Sequence, residues 1–222
     1  MRGDSTFVKI CGITRLTDAR SAVRAGANAI GFVFARSPRR ISALKASALV
    51  RHIHPSVRKI GVFVDQDPEE IFRIVDTVGL DGVQLQGNET PDMIDSIKDR
   101  DPSLFIAKVL RADVKESLAS ARSFSVNAIF VDTRDPSRPE VASTPAPVSW
   151  LGGMDDLPLV VGGGLNSGNV GKIIRNLRPW GVDVSGGVES KPGKKDAEKM
   201  KAFVRAVRAA EDDTATGSGG EH

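Results

Sequence analysis

Residues 29–35, AIGFVFA, and residues 58–65, RKIGVFVD, are two apolar runs that look like copies of one unit. Each run is followed by a stretch with helical periodicity. Residues 68–79, for example, place apolar side chains at the i, i+3, i+4 and i+7 spacing of one buried helix face. Continuous apolar runs, rather than alternating ones, are typical of strands buried on both faces of a parallel sheet. The pattern therefore predicts successive strand–helix units.

Six more apolar runs of the same character occur along the chain. They cover residues 7–13, 82–87, 103–110, 127–133, 157–165 and 181–187. Eight such units favour an α/β fold, a single (β/α)8 TIM barrel over residues 7–210, with flexible termini at 1–6 and 214–222. A doubly wound open sheet is the alternative, but no Gly-x-Gly-x-x-Gly fingerprint follows the first run.

The sixth unit departs from this pattern. The stretch after it, TRDPSRPEVASTPAPVSWLGG at residues 133–153, contains four prolines and little helical periodicity. Proline removes a backbone donor and clashes with the preceding turn, so a regular helix is excluded there. We therefore expect an irregular, proline-rich sixth loop, which is either an active-site loop or a partly disordered insertion.

Composition and charge narrow the class of protein. The 222 residues carry a net charge of +3, but basic and acidic residues are mixed and aromatics make up only 5%. This favours a small anionic ligand over nucleic acid. No apolar stretch approaches the length of a membrane span, the start MRGDSTF lacks a signal-peptide core, and one cysteine cannot form an internal disulfide. We expect a cytoplasmic protein without a membrane or nucleic-acid partner.

Two glycine clusters follow the seventh and eighth runs, and in a TIM barrel function gathers at the carboxyl ends of the strands. The clusters contain Gly163 and Gly164 in VVGGGLNSGNV, and Ser185 and Gly186 in VDVSGG. Consecutive backbone N–H groups without bulky side chains, near a possible helix start, form an anion site. Glycines that only make tight turns are the alternative. We predict that these clusters bind a phosphate group.

Cys11, the only cysteine, lies where the first run gives way to a loop. A lone cysteine in an apolar strand is usually a small buried hydrophobe. Strand alternation, however, places Lys9 on the same face, and a neighbouring cation lowers the pKa of a thiol from about 8.5. Cys11 is therefore a candidate base or nucleophile.

Two aspartates also lie on predicted strands. Asp132 ends the sixth run, where apolar surroundings raise a carboxyl pKa and suit a general acid near neutral pH. A solvated loop aspartate or a helix cap is the alternative. Asp183 lies between Val182 and Val184 and so faces the opposite side of its strand. An acid in a barrel interior is costly without a partner, so we expect it to hold a ligand hydroxyl or a lysine.

Arg39, in the cluster SPRR, is a candidate for binding a carboxylate through two parallel hydrogen bonds, with Arg36 and Arg40 as competitors. A solvated surface cluster is the alternative. The other polar residues at predicted strand ends are Asp65, Gln86, Lys108 and Arg111. None of the three histidines ends a predicted strand, so neither a metal site nor metal-dependent chemistry is expected.

Seven motifs follow one another along the chain. It begins with VKICGIT, continues with GFVFARSPRRIS, IGVFV, GVQLQG, VDT and GGGLNSGNV, and closes with GVDVSGGVESKPGKKD. In this order they resemble the phosphoribosylanthranilate isomerase family of tryptophan biosynthesis, and the first and last motifs are the most specific. The resemblance implies a cofactor-free barrel that isomerises N-(5-phospho-β-D-ribosyl)anthranilate to 1-(2-carboxyphenylamino)-1-deoxy-D-ribulose 5-phosphate, an Amadori rearrangement.

The resemblance also implies a role for each candidate residue. Cys11 matches the family's general base, which removes the proton from C2′ of the sugar. Asp132 matches the general acid, which protonates the ribose ring oxygen. Arg39 matches the arginine that binds the anthranilate carboxylate, and Asp183 matches an aspartate near the sugar. The phosphate would be bound by the backbone around Gly163, Gly164, Ser185 and Gly186.

Two departures from the family pattern keep other functions open. Gln86 stands where the family usually has the histidine of VQLHG, and glutamine cannot carry a proton. The proline-rich stretch replaces the family's glycine-rich loop and keeps only Ser149 and Trp150 of its last part. A barrel that isomerises a related phosphoribosyl amine and a non-catalytic sugar-phosphate binder are therefore alternatives. Family members occur as monomers and dimers, so either a monomer or a homodimer is expected.

Overall fold

The computed structural model describes residues 5–111, 119–132 and 157–216, and within them eight parallel strands close into a barrel. The strands are β1 (Phe7–Ile10), β2 (Ala29–Val33), β3 (Arg58–Phe63), β4 (Gly82–Leu85), β5 (Phe105–Arg111), β6 (Ala128–Asp132), β7 (Leu159–Gly162) and β8 (Gly181–Val184). Each strand pairs in parallel with the next one along the chain, and β8 pairs with β1. The predicted TIM barrel is confirmed, and the open-sheet alternative is wrong.

Helices follow six of the strands in the described residues. They are α1 (Leu16–Ala25), α2 (Ala43–Val50), α3 (Pro68–Val78), α4 (Pro91–Arg100), α5 (Val170–Leu177) and α6 (Ala197–Thr216). A short antiparallel hairpin, β9 (Glu189–Lys191) and β10 (Lys194–Lys195), separates β8 from α6. Helix α6 continues past residue 210 to Thr216 and so includes the first residues of the predicted flexible tail.

Two expected features fall wholly or partly outside the described residues. After β5 we expect a helix over residues 114–124, of which residues 114–118 lie outside the described part of the chain. The remainder contains a 3-10 turn at Ser120–Ser123. The proline-rich sixth loop lies within residues 133–156, which the structure does not describe, so its form stays a prediction.

Local sequence explains where the helices begin. Side chains at the N-caps of α2, α3 and α4 accept a hydrogen bond from a backbone N–H of the first turn. These caps are Ser42, Asp67 and Thr90. Such caps satisfy N–H groups that have no partner inside the helix. Proline follows the cap in α3 and α4, at a position where its fixed φ angle suits a helix start.

Apolar residues form two separate cores. The larger core lies between the strands and the surrounding helices. The smaller core fills the barrel interior and consists of Phe7, Ala29, Ile60, Phe105, Ala107, Ala128, Phe130 and Val160. At one edge of it, the ring of Trp180 stacks on Phe7 with the ring centroids 4.6 Å apart. The smaller core therefore packs the interior without leaving a channel, and we call it the apolar layer.

The next layer of side chains, nearer the carboxyl ends of the strands, is polar. Lys9 and Asp183 occupy paired positions on β1 and β8, and Gln84 lies on β4. Strand alternation places Lys9 on the same face as Phe7 of the apolar layer, two residues further along β1. We call Lys9, Gln84 and Asp183 the polar layer. None of the helices in the described residues is both long and apolar enough to cross a membrane.

Candidate active site

A cavity of about 580 Å³ opens at the carboxyl ends of the barrel strands. All nine residues predicted to form the site line this cavity: Cys11, Arg39, Gln86, Asp132, Gly163, Gly164, Asp183, Ser185 and Gly186. Asp132 and Asp183 lie on β6 and β8, and the others lie in the loops that follow β1, β2, β4, β7 and β8. Residues that are far apart in sequence are therefore brought together around one volume large enough for a sugar phosphate carrying an aromatic ring.

Cys11 lies directly after β1, next to the buried side chain of Lys9. The Lys9 Nζ atom donates to Asp183 Oδ1 at 3.0 Å. Burial alone would lower the pKa of Lys9, but the carboxylate of Asp183 and the nearby Cys11 side chain outweigh it, so the pKa of Lys9 is raised. Lys9 therefore stays a cation at neutral pH and sits beside the thiol. The expectation that Asp183 has a lysine partner is met.

Gly31 on β2 makes room for this arrangement. A Cβ atom at Gly31 would lie 2.7 Å from Cys11 Sγ and 3.1 Å from Lys9 Cε, closer than side-chain atoms can pack. Any larger residue would displace the thiol or the ammonium group. In the sequence, Gly31 stands out only as part of a repeated Ile-Gly pair. Its packing role could not be predicted, because it depends on the register between β1 and β2.

Asp132 lies at the end of β6, half-buried at the edge of the cavity. It is paired in register with Gly162 on β7. Strands β7 and β8 separate β6 from β1, so Asp132 and Cys11 flank the part of the cavity that the glycine clusters form. One carboxyl group and one thiol can therefore reach a bound sugar from two sides, which is the arrangement that acid–base catalysis needs.

Arg39 reaches the cavity from the loop after β2, and its guanidinium is held by Glu189. Arg39 Nε donates to Glu189 Oε1 at 2.8 Å, and Nη2 donates to Oε2 at 2.7 Å. A guanidinium has five N–H groups, so its Nη1 edge remains for a ligand carboxylate. Of the two competitors, Arg36 also lines the cavity, whereas Arg40 is not among the lining residues.

The β9–β10 hairpin supplies this support, and sequence reasoning missed its role. Lys195 Nζ donates to Glu189 Oε1 at 2.9 Å and to the backbone oxygen of Ser185 at 3.1 Å. Burial lowers the pKa of Lys195, against the opposing pull of Glu189. Burial raises the pKa of Glu189, but its hydrogen bonds to Arg39 and Lys195 outweigh this and lower it. The hairpin thus connects Arg39 to the loop after β8.

The glycine clusters after β7 and β8 bring two loops into close contact. Gly163 and Gly164 adopt positive φ angles of 90° and 66°, a region that favours glycine. A Cβ atom at Gly187 would lie 1.8 Å from the backbone oxygen of Leu165. Among the described residues, no acceptor takes the N–H of Gly164 or Gly186. Helix α5 begins only at Val170. The backbone N–H groups that are open to an anion here therefore belong to the loop and not to the first turn of that helix.

Comparison with known proteins agrees with this geometry. The model of the family described as N-(5'-phosphoribosyl)anthranilate isomerase matches residues 8–206. The chain belongs to this family. It is 42% identical to the N-(5'-phosphoribosyl)anthranilate isomerase of Desulforudis audaxviator, over 92% of this chain and 99% of the relative. The corresponding protein of Pelobacter propionicus is 40% identical over 90% of this chain and 95% of that protein.

Solved structures of phosphoribosyl anthranilate isomerases have the same fold. The enzyme of Thermotoga maritima gives a TM-score of 0.83 at 37% identity, covering 92% of this chain and 99% of the other. A phosphoribosyl anthranilate isomerase in complex with reduced 1-(o-carboxyphenylamino)-1-deoxyribulose 5-phosphate gives a TM-score of 0.80 at 36% identity, with the same coverage. Members of the family are isomerases of tryptophan biosynthesis, and so is this chain.

The position where phosphoribosylanthranilate isomerases usually carry a histidine has a distinct structure here. Gln86 lines the cavity, and its Oε1 atom accepts a hydrogen bond from Gln84 Nε2 at 3.3 Å. Gln84 also lines the cavity and was missed by sequence reasoning, because an amide inside an apolar run does not reveal which way it faces. The side chain of Gln86 is therefore hydrogen-bonded to a second amide, that of Gln84.

Three strand-end candidates do not line the cavity: Asp65, Lys108 and Arg111. Lys108 alternates with the inward-facing Ala107, so its side chain points out of the barrel, where its Nζ lies 2.7 Å from Glu89 Oε2. Asp65 accepts hydrogen bonds from the backbone and side chain of Asn88. The contacts of Lys108 and Asp65 stabilise the loop after β4.

Proposed function

We propose that this chain converts N-(5-phospho-β-D-ribosyl)anthranilate into 1-(2-carboxyphenylamino)-1-deoxy-D-ribulose 5-phosphate, with Cys11 as general base and Asp132 as general acid. The observation that carries the proposal is that both residues flank the glycine clusters in one cavity of about 580 Å³. Membership of the isomerase family over residues 8–206 supports the substrate.

The phosphate group anchors the substrate between the loops after β7 and β8. The backbone N–H groups of Gly164 and Gly186 serve as donors, and Gly163 and Ser185 complete the loop walls. Backbone donors held in fixed loops bind an anion without ordering flexible side chains. This fixes the sugar between Cys11 and Asp132, so that the rest of the chemistry depends on positioning.

Asp132 starts the reaction as its acid form. It gives a proton to the ribose ring oxygen while the C1′–O bond breaks and the lone pair of the anthranilate nitrogen forms an iminium ion. The ring opens as a result. Asp132 lies half-buried at the end of β6 and lines the cavity, so its carboxyl group is placed to reach a bound sugar.

Cys11 completes the rearrangement as the base. Its thiolate removes the proton from C2′, and the electron pair of that C–H bond forms the C1′–C2′ double bond and neutralises the iminium ion. Tautomerisation of the resulting enol gives the ketone. The ammonium group of Lys9, held by Asp183 at 3.0 Å, places a positive charge beside the reacting sulfur of Cys11.

Arg39 binds the anthranilate carboxylate through the guanidinium edge that Glu189 leaves open. The proposed chemistry needs only proton transfers by these side chains, so we propose that the enzyme works without a cofactor. The small-molecule substrate is its proposed partner, with neither nucleic acid nor a membrane involved. We further propose that it acts in the cytoplasm as a monomer or homodimer; one solved relative from T. maritima is described as dimeric.

The decisive experiment follows the fluorescence decay of freshly prepared phosphoribosylanthranilate with the purified protein. Wild type should turn the substrate over, and Cys11→Ala and Asp132→Asn should each lose about 10²- to 10⁴-fold in kcat. Unchanged kcat in either variant would remove that residue from its role. Wild type that binds reduced 1-(o-carboxyphenylamino)-1-deoxyribulose 5-phosphate without turnover would be a sugar-phosphate binder. Turnover of an aminoimidazole phosphoribosyl amine alone would indicate the diverged isomerase.

A further inference from the structure

The acid, the base and the two anion sites of the cavity leave the amide group of Gln84 unused. Gln84 lies on β4 with only 3% of its surface exposed, and its side chain lines the cavity. Its Oε1 atom is buried and has no hydrogen-bond partner within the described chain. Native proteins rarely leave a buried acceptor unpaired, and such an atom at a ligand site commonly meets a donor on the ligand.

Hydrogen bonding fixes the direction of this acceptor. Gln84 Nε2 donates to Gln86 Oε1 at 3.3 Å, so the amide of Gln84 is held through its nitrogen. Its Oε1 atom then remains without a donor in the described chain. Gln86 is therefore a positioning residue, which orients Gln84 through one hydrogen bond at the place where the family usually has a histidine.

The position of β4 indicates which part of the substrate lies near Gln84. In a ring of eight strands, β4 lies opposite β8, so Gln84 is across the barrel from the phosphate-binding loops. The cavity wall on this side is apolar and includes Val62, Val64 and Val109. A phosphate at β7 and β8, together with the carboxylate on Arg39 in the loop after β2, leaves the aromatic ring and the amine to extend towards β3 and β4.

Few groups at the aromatic end of the substrate can donate a hydrogen bond to Gln84. The carboxylate only accepts, and the ring carries no polar hydrogen. The amine N–H that joins the ring to C1′ remains, and it is present in the substrate, the iminium ion and the product. An uncharged amide oxygen binds an N–H more strongly when the nitrogen carries a positive charge, as it does in the iminium ion.

We propose that Gln84 Oε1 accepts a hydrogen bond from the anilino N–H of the substrate and stabilises the iminium intermediate, with Gln86 orienting the amide. This inference rests on the proposed isomerase function and assigns a further catalytic residue to it. Because the contact strengthens as the iminium ion forms, it contributes to kcat more than to ground-state binding.

Gln84→Met tests the proposal, since methionine has a similar size and shape but no amide. We expect kcat to fall about 10- to 100-fold, with the affinity for reduced 1-(o-carboxyphenylamino)-1-deoxyribulose 5-phosphate changed less than about threefold. Gln84→Glu keeps an acceptor oxygen, so its kcat should lie between that of Gln84→Met and that of the wild type. Gln86→Met should lower kcat by a smaller factor, because the amide of Gln84 then loses only its orientation.

Gln66 provides a matched control. Its Oε1 atom is also buried without a partner in the described residues, but Gln66 is not among the cavity-lining residues. Gln66→Met should therefore leave kcat and KM unchanged. Removing an unpaired buried acceptor should preserve or raise the melting temperature in both methionine variants, so a loss of kcat in Gln84→Met cannot be assigned to unfolding.

The outcomes separate this inference from the proposed function. Turnover by wild type with an unchanged kcat in Gln84→Met would overturn the role of Gln84 alone. An equal loss of kcat and of analogue affinity would overturn the preferential stabilisation of the iminium ion. Absence of turnover by wild type would overturn both the proposed function and this inference.

Discussion

The barrel interior contains the apolar layer and, nearer the carboxyl ends of the strands, the polar layer, and the two serve different purposes. The apolar layer contains Phe7 and Phe105 and is held by packing alone. The polar layer contains the buried Lys9 and Gln84 and the partly buried Asp183, groups whose burial is costly, and Gln84 and Asp183 line the cavity. The comparison teaches that both layers contribute to stability but only the polar layer to the chemistry, so the apolar layer can be disturbed without a direct effect on catalysis.

Replacing Lys9 should have the largest effect on activity. Lys9→Met removes the cation beside Cys11 and leaves Asp183 without its partner. We expect kcat to fall about 100-fold or more and the free energy of unfolding to fall by about 3 to 5 kcal/mol. Steady-state kinetics and urea denaturation measure the two changes.

Lys108→Met is the matched control for this variant. Lys108 forms a buried pair with Glu89, at 2.7 Å, but neither residue lines the cavity, whereas Asp183, the partner of Lys9, does. Replacing Lys108 should destabilise the protein by a similar amount and leave kcat within about twofold. A comparable loss of kcat in both variants would mean that Lys9 acts only through stability.

The apolar layer should show the opposite response. Phe105→Ala removes a large side chain that packs in the barrel interior and lies 4.8 Å from the guanidinium of Arg58. The free energy of unfolding should fall by about 3 to 5 kcal/mol, while kcat/KM at low temperature stays near wild type. Thermal denaturation and an assay well below the melting temperature test this. A selective loss of kcat without loss of stability would break the separation of the layers.

The smallest expected effect is a change in how the stability of the protein depends on pH. The pKa of Glu189 is lowered below its ordinary value of 4.5, because the stabilising hydrogen bonds from Arg39 and Lys195 outweigh the effect of burial. The unfolded chain therefore binds a proton more readily, so this stabilisation is present above pH 4.5 and is lost as pH falls through the folded-state pKa. Glu189→Gln should flatten the dependence of stability on pH below 4.5. An unchanged slope in acid denaturation would contradict this.

Much of the fold could be predicted because the chain repeats one signal eight times. Each continuous apolar run predicts a doubly buried strand, and short connections between runs leave few topologies. The site residues at strand ends, such as Cys11 and Asp132, could be located because the barrel places all strand ends around one cavity. The shared face of Cys11 and Lys9 also follows from strand alternation alone.

Other parts of the site were beyond sequence reasoning for a physical reason. The direction of Lys108 is ambiguous, because a run that is apolar on both faces gives no indication of its register. The support of Arg39 by Glu189 joins residues 150 positions apart, and no local pattern encodes such a pair. Gln84 was missed because what distinguishes it is a buried Oε1 atom that no donor in the described residues reaches. Only the three-dimensional structure shows this.

The β9–β10 hairpin has a consequence for how the enzyme is made. It contacts the start of the chain, where Thr14 Oγ1 donates to the backbone oxygen of Gly193 and Lys195 N donates to Asp18 Oδ2. During synthesis, Arg39 leaves the ribosome 150 residues before Glu189, the residue that orients its guanidinium. A nascent chain that has not yet reached the hairpin therefore carries its carboxylate receptor without this support.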